Sequence, residues 1–195
     1  MQHKVKITVI DKKLYPELQQ QYCADPNAGA CPCYNIGDTF IFERYGTADD
    51  FWHMGQHTLT KSAYTAHTIA GGSELPHCSE AWDAIARYIY TGLQGGSIMR
   101  GWMNDERVMI TCCSDGTRPV IFKIQRMDYQ VLYLTGVKED ADREAIRREL
   151  MQIEDVTEVQ FTDTWTEVFV EREVQEDRLR QAVTTAGAYA IQNIE

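Results

Sequence analysis

The last third of the chain, residues 129–195, carries the most restrictive pattern in the sequence, because strand-like and helix-like segments follow one another in a fixed order. Alternating apolar residues predict strands, and apolar residues three or four positions apart predict helices. By these rules four segments are strand-like: VLYLTGV, VTEVQFTD, TEVFVERE and YAIQNI. Two segments are helical: DADREAIRRELMQI, which follows the first strand, and EDRLRQAVTTAG, which follows the third. Gly187 is suited to end the second helix. The predicted order is β-α-β-β-α-β.

That order is typical of the split βαβ arrangement of a ferredoxin-like sandwich. The first part of the chain has mixed signals that favour a small α+β domain. Its strand-like segments are KVKITVI, TFIFERY, RVMITCC and PVIFKI, the last two joined across the Asp-Gly turn of SDGTR, and its helical segments are YPELQQQYC and SEAWDAIARYIYTGL, with Ser79 as the expected N-cap. We therefore predict an α+β chain with two domains, a cysteine-containing domain over 1–128 and a ferredoxin-like domain over 129–195.

Cysteine, histidine and charge are distributed unevenly along the chain. All six cysteines lie at or before Cys113, and all five histidines lie at or before His77. Residues 1–128 hold 12 Lys/Arg and 14 Asp/Glu, whereas residues 129–195 hold 7 and 15. An acidic chain lacks the basic footprint for nucleic acid or anionic membranes, and we expect neither as a partner.

The N-terminus MQHKVKITVI has no signal-peptide pattern, and no apolar run is long enough to cross a bilayer. These features favour a cytoplasmic protein. In a reducing compartment, cysteines more often serve metal or redox chemistry than structural disulfides.

Four cysteines form the candidate metal site: Cys31, Cys33, Cys78 and Cys113. Cys31 and Cys33 flank a proline in a loop, and Cys78 precedes a helix whose dipole favours a thiolate. Because side chains alternate along a strand, Cys112 is expected in the core and Cys113 near the site. Four thiolates suit tetrahedral zinc or an iron–sulfur cluster, with a slight preference for the cluster. We therefore predict a metal-binding protein whose C-terminal domain serves association, with a protein partner or as a homodimer.

Two other functions stay open. In the first, the protein is a thiol-dependent redox or transfer enzyme: Cys31 and Cys33 cycle and are resolved by Cys78, or Cys78 acts as nucleophile with His77 or His53 as base and Arg118 as anion contact. In the second, it is a metal-free adaptor. Several side chains also have simpler roles. Arg118 is expected to pair with Asp115. His53 and His57 are expected to be surface residues in the segment that also holds His67. The tryptophans are expected to lie in the core: Trp52, Trp82 and Trp102.

Residues 1–126 resemble a family of small uncharacterised prokaryotic proteins with a C-[ST/P]-D-G-x-[RN]-P-V-x-F signature. The matching pieces here are CPCYNIGDTF, PHCSEAWDAI, LQGG and CCSDGTRPVIFKI. The resemblance implies shared cysteine positions at Cys33 or Cys31, at Cys78, and at Cys113 or Cys112, and it implies no reaction. The long segment FWHMGQHTLTKSAYTAHTIAGGSE and the whole C-terminal part depart from the family.

Residues 129–195 resemble the heavy-metal-associated domain family, through the element order, IEDVTEVQF and AVTTAGAY. That family binds metal through a cysteine pair after its first strand. The corresponding loop here, TGVKEDADREA, has no thiol. The resemblance therefore implies the fold without the metal.

Overall fold

The computed structural model of the chain describes residues 1–43, 60–61 and 78–195. The chain divides into two compact units, residues 4–126 and residues 127–195 together with 1–3. Both contain helices and antiparallel strands, so the chain belongs to the α+β class. Among the described residues, no helix has the length and apolar character needed to cross a membrane.

The unit of residues 4–126 is built on antiparallel strands whose neighbours follow the order β3-β2-β1-β5-β4. Its elements are β1 (Gln2–Lys12), α1 (Pro16–Tyr22), β2 (Thr39–Glu43), β3 (Thr60–Lys61), α2 (Ser79–Leu93), β4 (Val108–Cys112) and the start of β5 (Val120–Thr135). Val5, Ile7 and Val9 on β1 are each 0% exposed, which is the one-faced burial that their alternation predicts. The core of this unit lies on that face.

Helix α2 packs its apolar stripe into this core. Ala81, Ile85, Ile89 and Leu93 are buried at helical spacing. Gly92 permits close contact, since a Cβ on it would lie 2.6 Å from Val5 Cγ2. The N-cap is Cys78 and not the expected Ser79. Ser79 already has helical geometry, so the helix begins at this residue. The Cys78 side chain makes no capping hydrogen bond.

Strand β5 differs from the sequence prediction, which placed separate strands at 119–124 and 131–137. The structure has one strand, Val120–Thr135, whose first residues pair with β4 and whose last residues pair with other strands in the second unit. The connecting residues QRMDYQ contain neither glycine nor proline. Nothing in this stretch therefore breaks an extended backbone.

The unit of residues 127–195 contains the end of β5 followed by five elements: α3 (Asp140–Leu150), β6 (Val156–Phe161), β7 (Thr166–Val170), α4 (Glu176–Ala186) and β8 (Ala190–Ile194). Its strand neighbours follow the order β8-β5-β7-β6, and each pair is antiparallel. The most buried members of its core are each 0% exposed: Leu132, Ile146, Leu150, Val168, Leu179 and Val183. Gly187 is the C-cap residue of α4, as predicted.

Candidate functional site

The four cysteines of the predicted site come from three separate segments of the first unit. Cys31 and Cys33 lie in the connection between α1 and β2, Cys78 caps α2, and Cys113 follows β4. Cys113 is 7% exposed and belongs to the core, and the other three are partly buried and pack against the same core. The fold therefore gathers all four thiols on one core.

Tyr34 belongs to the core against which these cysteines pack. It is 3% exposed and makes edge-on ring contacts with Phe40 and Phe122, at centroid distances of 6.3 and 5.5 Å. Burial raises the pKa of Tyr34 strongly, and the charges of Cys78, Cys33, Cys31 and Cys113, in that order, raise it further. All four cysteines therefore contribute to the pKa of one phenol. We call the four cysteines with Tyr34 the thiol cluster.

The thiols of the cluster differ in environment. Burial raises the pKa of Cys33, and the charge of Cys31, a hydrogen bond with the Cys31 side chain and the charge of Cys78 add to the shift. Burial also raises the pKa of Cys113, although backbone N–H groups oppose it. One of these is the N–H of Val120, which donates to Cys113 Sγ at 3.3 Å. Burial therefore favours the neutral thiol form of both Cys33 and Cys113.

Arg118 is the cationic side chain that the sequence analysis assigned to this region. Its Nε donates to Asp115 Oδ2 at 2.9 Å, so the predicted pairing is confirmed. The Arg118 charge also acts on Cys31 and Cys33, and it lowers the pKa of Cys33 against the stronger effects that raise it. Asp115 thus fixes the Arg118 guanidinium, and the charge of this guanidinium acts on Cys31 and Cys33.

The segment that bears Cys31 and Cys33 is held by two side chains that the sequence analysis did not select. Lys12 Nζ donates to the carbonyl oxygens of Cys31 and Tyr34, at 2.7 and 2.6 Å. Gln19, 2% exposed, accepts from the N–H of Gly29 at 3.1 Å and donates to its carbonyl at 3.0 Å. These bonds replace the backbone ladder that an irregular segment lacks.

The other end of the segment is fixed to β1. The N–H of Gly37 donates to the Val9 carbonyl, and the N–H of Val9 donates to the Asp38 carbonyl, both at 2.8 Å. Asp38 is 1% exposed, and its Oδ2 accepts from the N–H of Asn35 at 2.7 Å. Tyr34 and Cys33 therefore lie between two anchored points.

Other predictions for this region have mixed outcomes. The expectation that Cys112 lies in the core is wrong, since Cys112 is exposed and Cys113 is buried. The strand ends at Cys112, and Cys113 turns inward as its N–H donates to Val120 O at 3.1 Å. Trp82 packs partly buried against the core, but Trp102 is 75% exposed, contrary to the expectation for the tryptophans.

Several candidate residues lie outside the described residues: His53, His57, His67, His77 and Trp52. Across 1–43, 60–61 and 78–195, no three His, Cys, Asp or Glu side chains are already arranged as a metal-ligating group. The thiol cluster is accordingly a convergence of sulfurs and not a preformed coordination sphere.

Comparison with known proteins adds no family to these observations. No protein-family model, no curated protein and no solved structure matches the chain.

Proposed function

We propose that the unit of residues 4–126 binds a thiophilic metal through Cys31, Cys33, Cys78 and Cys113. The observation that carries the proposal is that these thiols, from three separate segments, pack on one core that includes Tyr34. Free cysteine is often buried for packing alone. Packing alone does not account for the clamps that Lys12 and Gln19 make to the irregular segment beside Tyr34.

Zinc and an iron–sulfur cluster both accept four thiolates, and we favour the cluster slightly. Ligation requires rotation of the thiols from their present positions. A cysteine has one side-chain torsion with three staggered positions, so each thiol can turn without a change in its own backbone. Four thiolates around a divalent ion carry net negative charge, which the cations of Arg118 and Lys12 would partly offset.

Elemental analysis with a UV–visible spectrum tests the proposal. The protein is purified without air and without a metal-affinity column. Iron with absorption near about 400 nm identifies a cluster, and about one zinc per chain without colour identifies a zinc site. Protein that stays metal-free after anaerobic incubation with zinc, and after iron–sulfur reconstitution, contradicts the proposal.

Matched cysteine variants locate the site. Cys33→Ser, Cys78→Ser and Cys113→Ser are expected to reduce metal content severalfold, since serine oxygen is a poor ligand for thiophilic metals. Cys112→Ser is the control, because Cys112 is the exposed sequence neighbour of the buried Cys113. Equal metal loss in the control would place the metal elsewhere.

A second candidate is a thiol-dependent redox or transfer enzyme, favoured by the hydrogen bond between the Cys31 and Cys33 side chains and by Cys78 at a helix N-terminus. This candidate needs at least one activated thiolate. Alkylation rates measured from about pH 5 to about pH 9 distinguish it: an enzyme is expected to have one cysteine that reacts with an apparent pKa well below ~8.5. A metal site is expected to be protected until the metal is removed.

For the unit of residues 127–195 we propose the split βαβ arrangement of a ferredoxin-like sandwich, used for association in the cytoplasm with a protein partner or a second copy. The order β8-β5-β7-β6, with all pairs antiparallel and helices after β5 and β7, supports the fold. Two family relationships are part of the same proposal, that of residues 1–126 to the small prokaryotic proteins with the C-[ST/P]-D-G-x-[RN]-P-V-x-F signature, and that of the last unit to the heavy-metal-associated domains. A sedimentation measurement on the full chain, at concentrations around ~10 μM, tests self-association.

A further inference from the structure

A small cavity opens on the unit of residues 127–195, where β5 ends and the chain turns from β6 to β7. Its volume is about 120 Å³, and all of its lining residues belong to this unit. They are Leu134, Val137, Arg143, Phe161 and residues 162–166. A space of this size suits a small ligand.

The charged groups at this cavity have weak partners or none. Arg143 Nη1 lies 3.9 Å from Asp140 Oδ1, and the Asp140 side chain is 98% exposed, so this ion pair leaves the guanidinium donors available. Asp163 also lines the cavity. Within the described part of the chain, no side chain or backbone group donates a hydrogen bond to the Asp163 carboxylate. One weakly paired cation, Arg143, and one exposed anion, Asp163, therefore border the same small space.

Two hydroxyl groups add uncommitted polarity. Neither the Thr164 nor the Thr166 hydroxyl has a hydrogen-bond partner among the described residues, although Thr166 is only 2% exposed. The Thr166 hydroxyl is not fully buried, because the buried side-chain polar atoms without a partner in the described residues are Asp38 Oδ1 and Ser97 Oγ. Thr166 lines the cavity, so its hydroxyl is available to a molecule there.

The remaining wall is apolar. Leu134, Val137 and Phe161 pack partly buried against the core of this unit. Trp165 Nε1 donates to Glu167 Oε1 at 3.2 Å, so the indole N–H is already used and the ring offers its apolar surface. The apolar surface is limited to these groups, which favours a ligand with a short side chain.

We infer that this cavity binds a small free amino acid, of the size of glycine, alanine or serine. The planar guanidinium of Arg143 suits a carboxylate, and the Asp163 carboxylate suits an ammonium group. A simple anion would be repelled by Asp163, and a simple cation would be repelled by Arg143. A zwitterion satisfies both charges at once. The inference is independent of the metal proposed for the first unit.

The test is an NMR titration of the ¹⁵N-labelled full chain with glycine, L-alanine and L-serine, up to about 50 mM, because a ligand this small is expected to bind with a Kd near or above ~1 mM. Propionate and ethylamine serve as probes that each keep one charge of alanine. The variants are Arg143→Gln and Asp163→Asn, with Arg148→Gln as the matched control. Arg148 is an exposed arginine on the same helix, outside the cavity lining.

The expected result is a saturable shift of the Val137, Thr164 and Trp165 signals with at least one of the three amino acids. Each cavity variant is expected to weaken binding by at least about tenfold, with spectra that otherwise keep native dispersion, while Arg148→Gln binds as the wild type does. Propionate and ethylamine are expected to bind at least about tenfold more weakly than alanine. Propionate or ethylamine binding as tightly as alanine, shifts that persist unchanged in both cavity variants, or no saturation at all would each overturn the inference.

Discussion

The segment that bears Cys31 and Cys33 has no helix or strand of its own, and the side chains of Lys12 and Gln19 hold its backbone in place. In residues 127–195, by contrast, regular strands and helices enclose an apolar core. The first arrangement depends on a few directional bonds, each of which is costly to lose when buried. The second depends on many non-directional contacts. A candidate site and a stable core are therefore damaged by different kinds of substitution.

The largest expected effect tests the core of the second unit. Ile146 lies on α3 and is 0% exposed, so Ile146→Ala removes buried apolar surface and leaves a cavity. We expect a loss of about 2–5 kcal/mol in the free energy of unfolding of this unit. Urea unfolding combined with hydrogen exchange over residues 127–195 measures the effect. Arg148→Ala, two positions away and exposed, is the control, and a similar loss in that variant would deny that packing dominates here.

The next prediction tests the clamped segment of the first unit. Gln19→Ala removes both hydrogen bonds to Gly29 and leaves its partly buried backbone groups without these partners. We expect a cost of about 1–3 kcal/mol, seen as faster hydrogen exchange between residues 24 and 38, together with weaker metal binding. The neighbouring Gln20 is exposed, so Gln20→Ala is a control with the same chemistry. Unchanged exchange in Gln19→Ala would show that the segment is held by other contacts.

The two units also differ in how much their sequence predicts. In residues 127–195 every predicted element appears within a few residues of its expected position, because apolar periodicity directly reflects burial. In the first unit, periodicity predicted α2 and the buried face of β1, but it could not select Lys12 or Gln19. Their role depends on which carbonyl and N–H groups lie nearby in space, and that information is absent from local spacing.

Two predictions were wrong because they used only the local sequence pattern. Strand alternation assigned Cys112 to the core, but the strand ends there and Cys113 turns inward. The prediction of two strands around QRMDYQ likewise failed because one continuous strand serves both units. A common site for Cys31, Cys33, Cys78 and Cys113 stays a prediction, made from loop and helix ends, and the structure shows that all four border one core.

A third prediction concerns the pH dependence of metal binding, which separates the thiol cluster from a core that only packs. Burial raises the pKa of Cys33 and Cys113, so both must release a proton to bind metal. Zinc affinity is therefore expected to rise with pH from about 6 to about 8, by about tenfold per pH unit for each proton released. Competition with a chelator of known affinity, corrected for its own pH dependence, measures this slope. A flat profile would mean that the thiols of the cluster are not the ligands.

The smallest expected effect concerns Asp115, which fixes Arg118 beside the cluster. Burial opposes ionisation of Asp115, but hydrogen bonds from Thr117 and Arg118 outweigh it and lower its pKa. Because the folded-state pKa is depressed, the stabilisation is fully present above the unfolded value of ~3.9 and is lost as pH falls through the folded value. Asp115→Asn is thus expected to cost about 1 kcal/mol at neutral pH, discounted for solvent screening, and less below about pH 4. Urea unfolding at both pH values measures the difference, with the exposed Asp25→Asn as control, and a cost that does not shrink in acid would assign the effect to shape and not to charge.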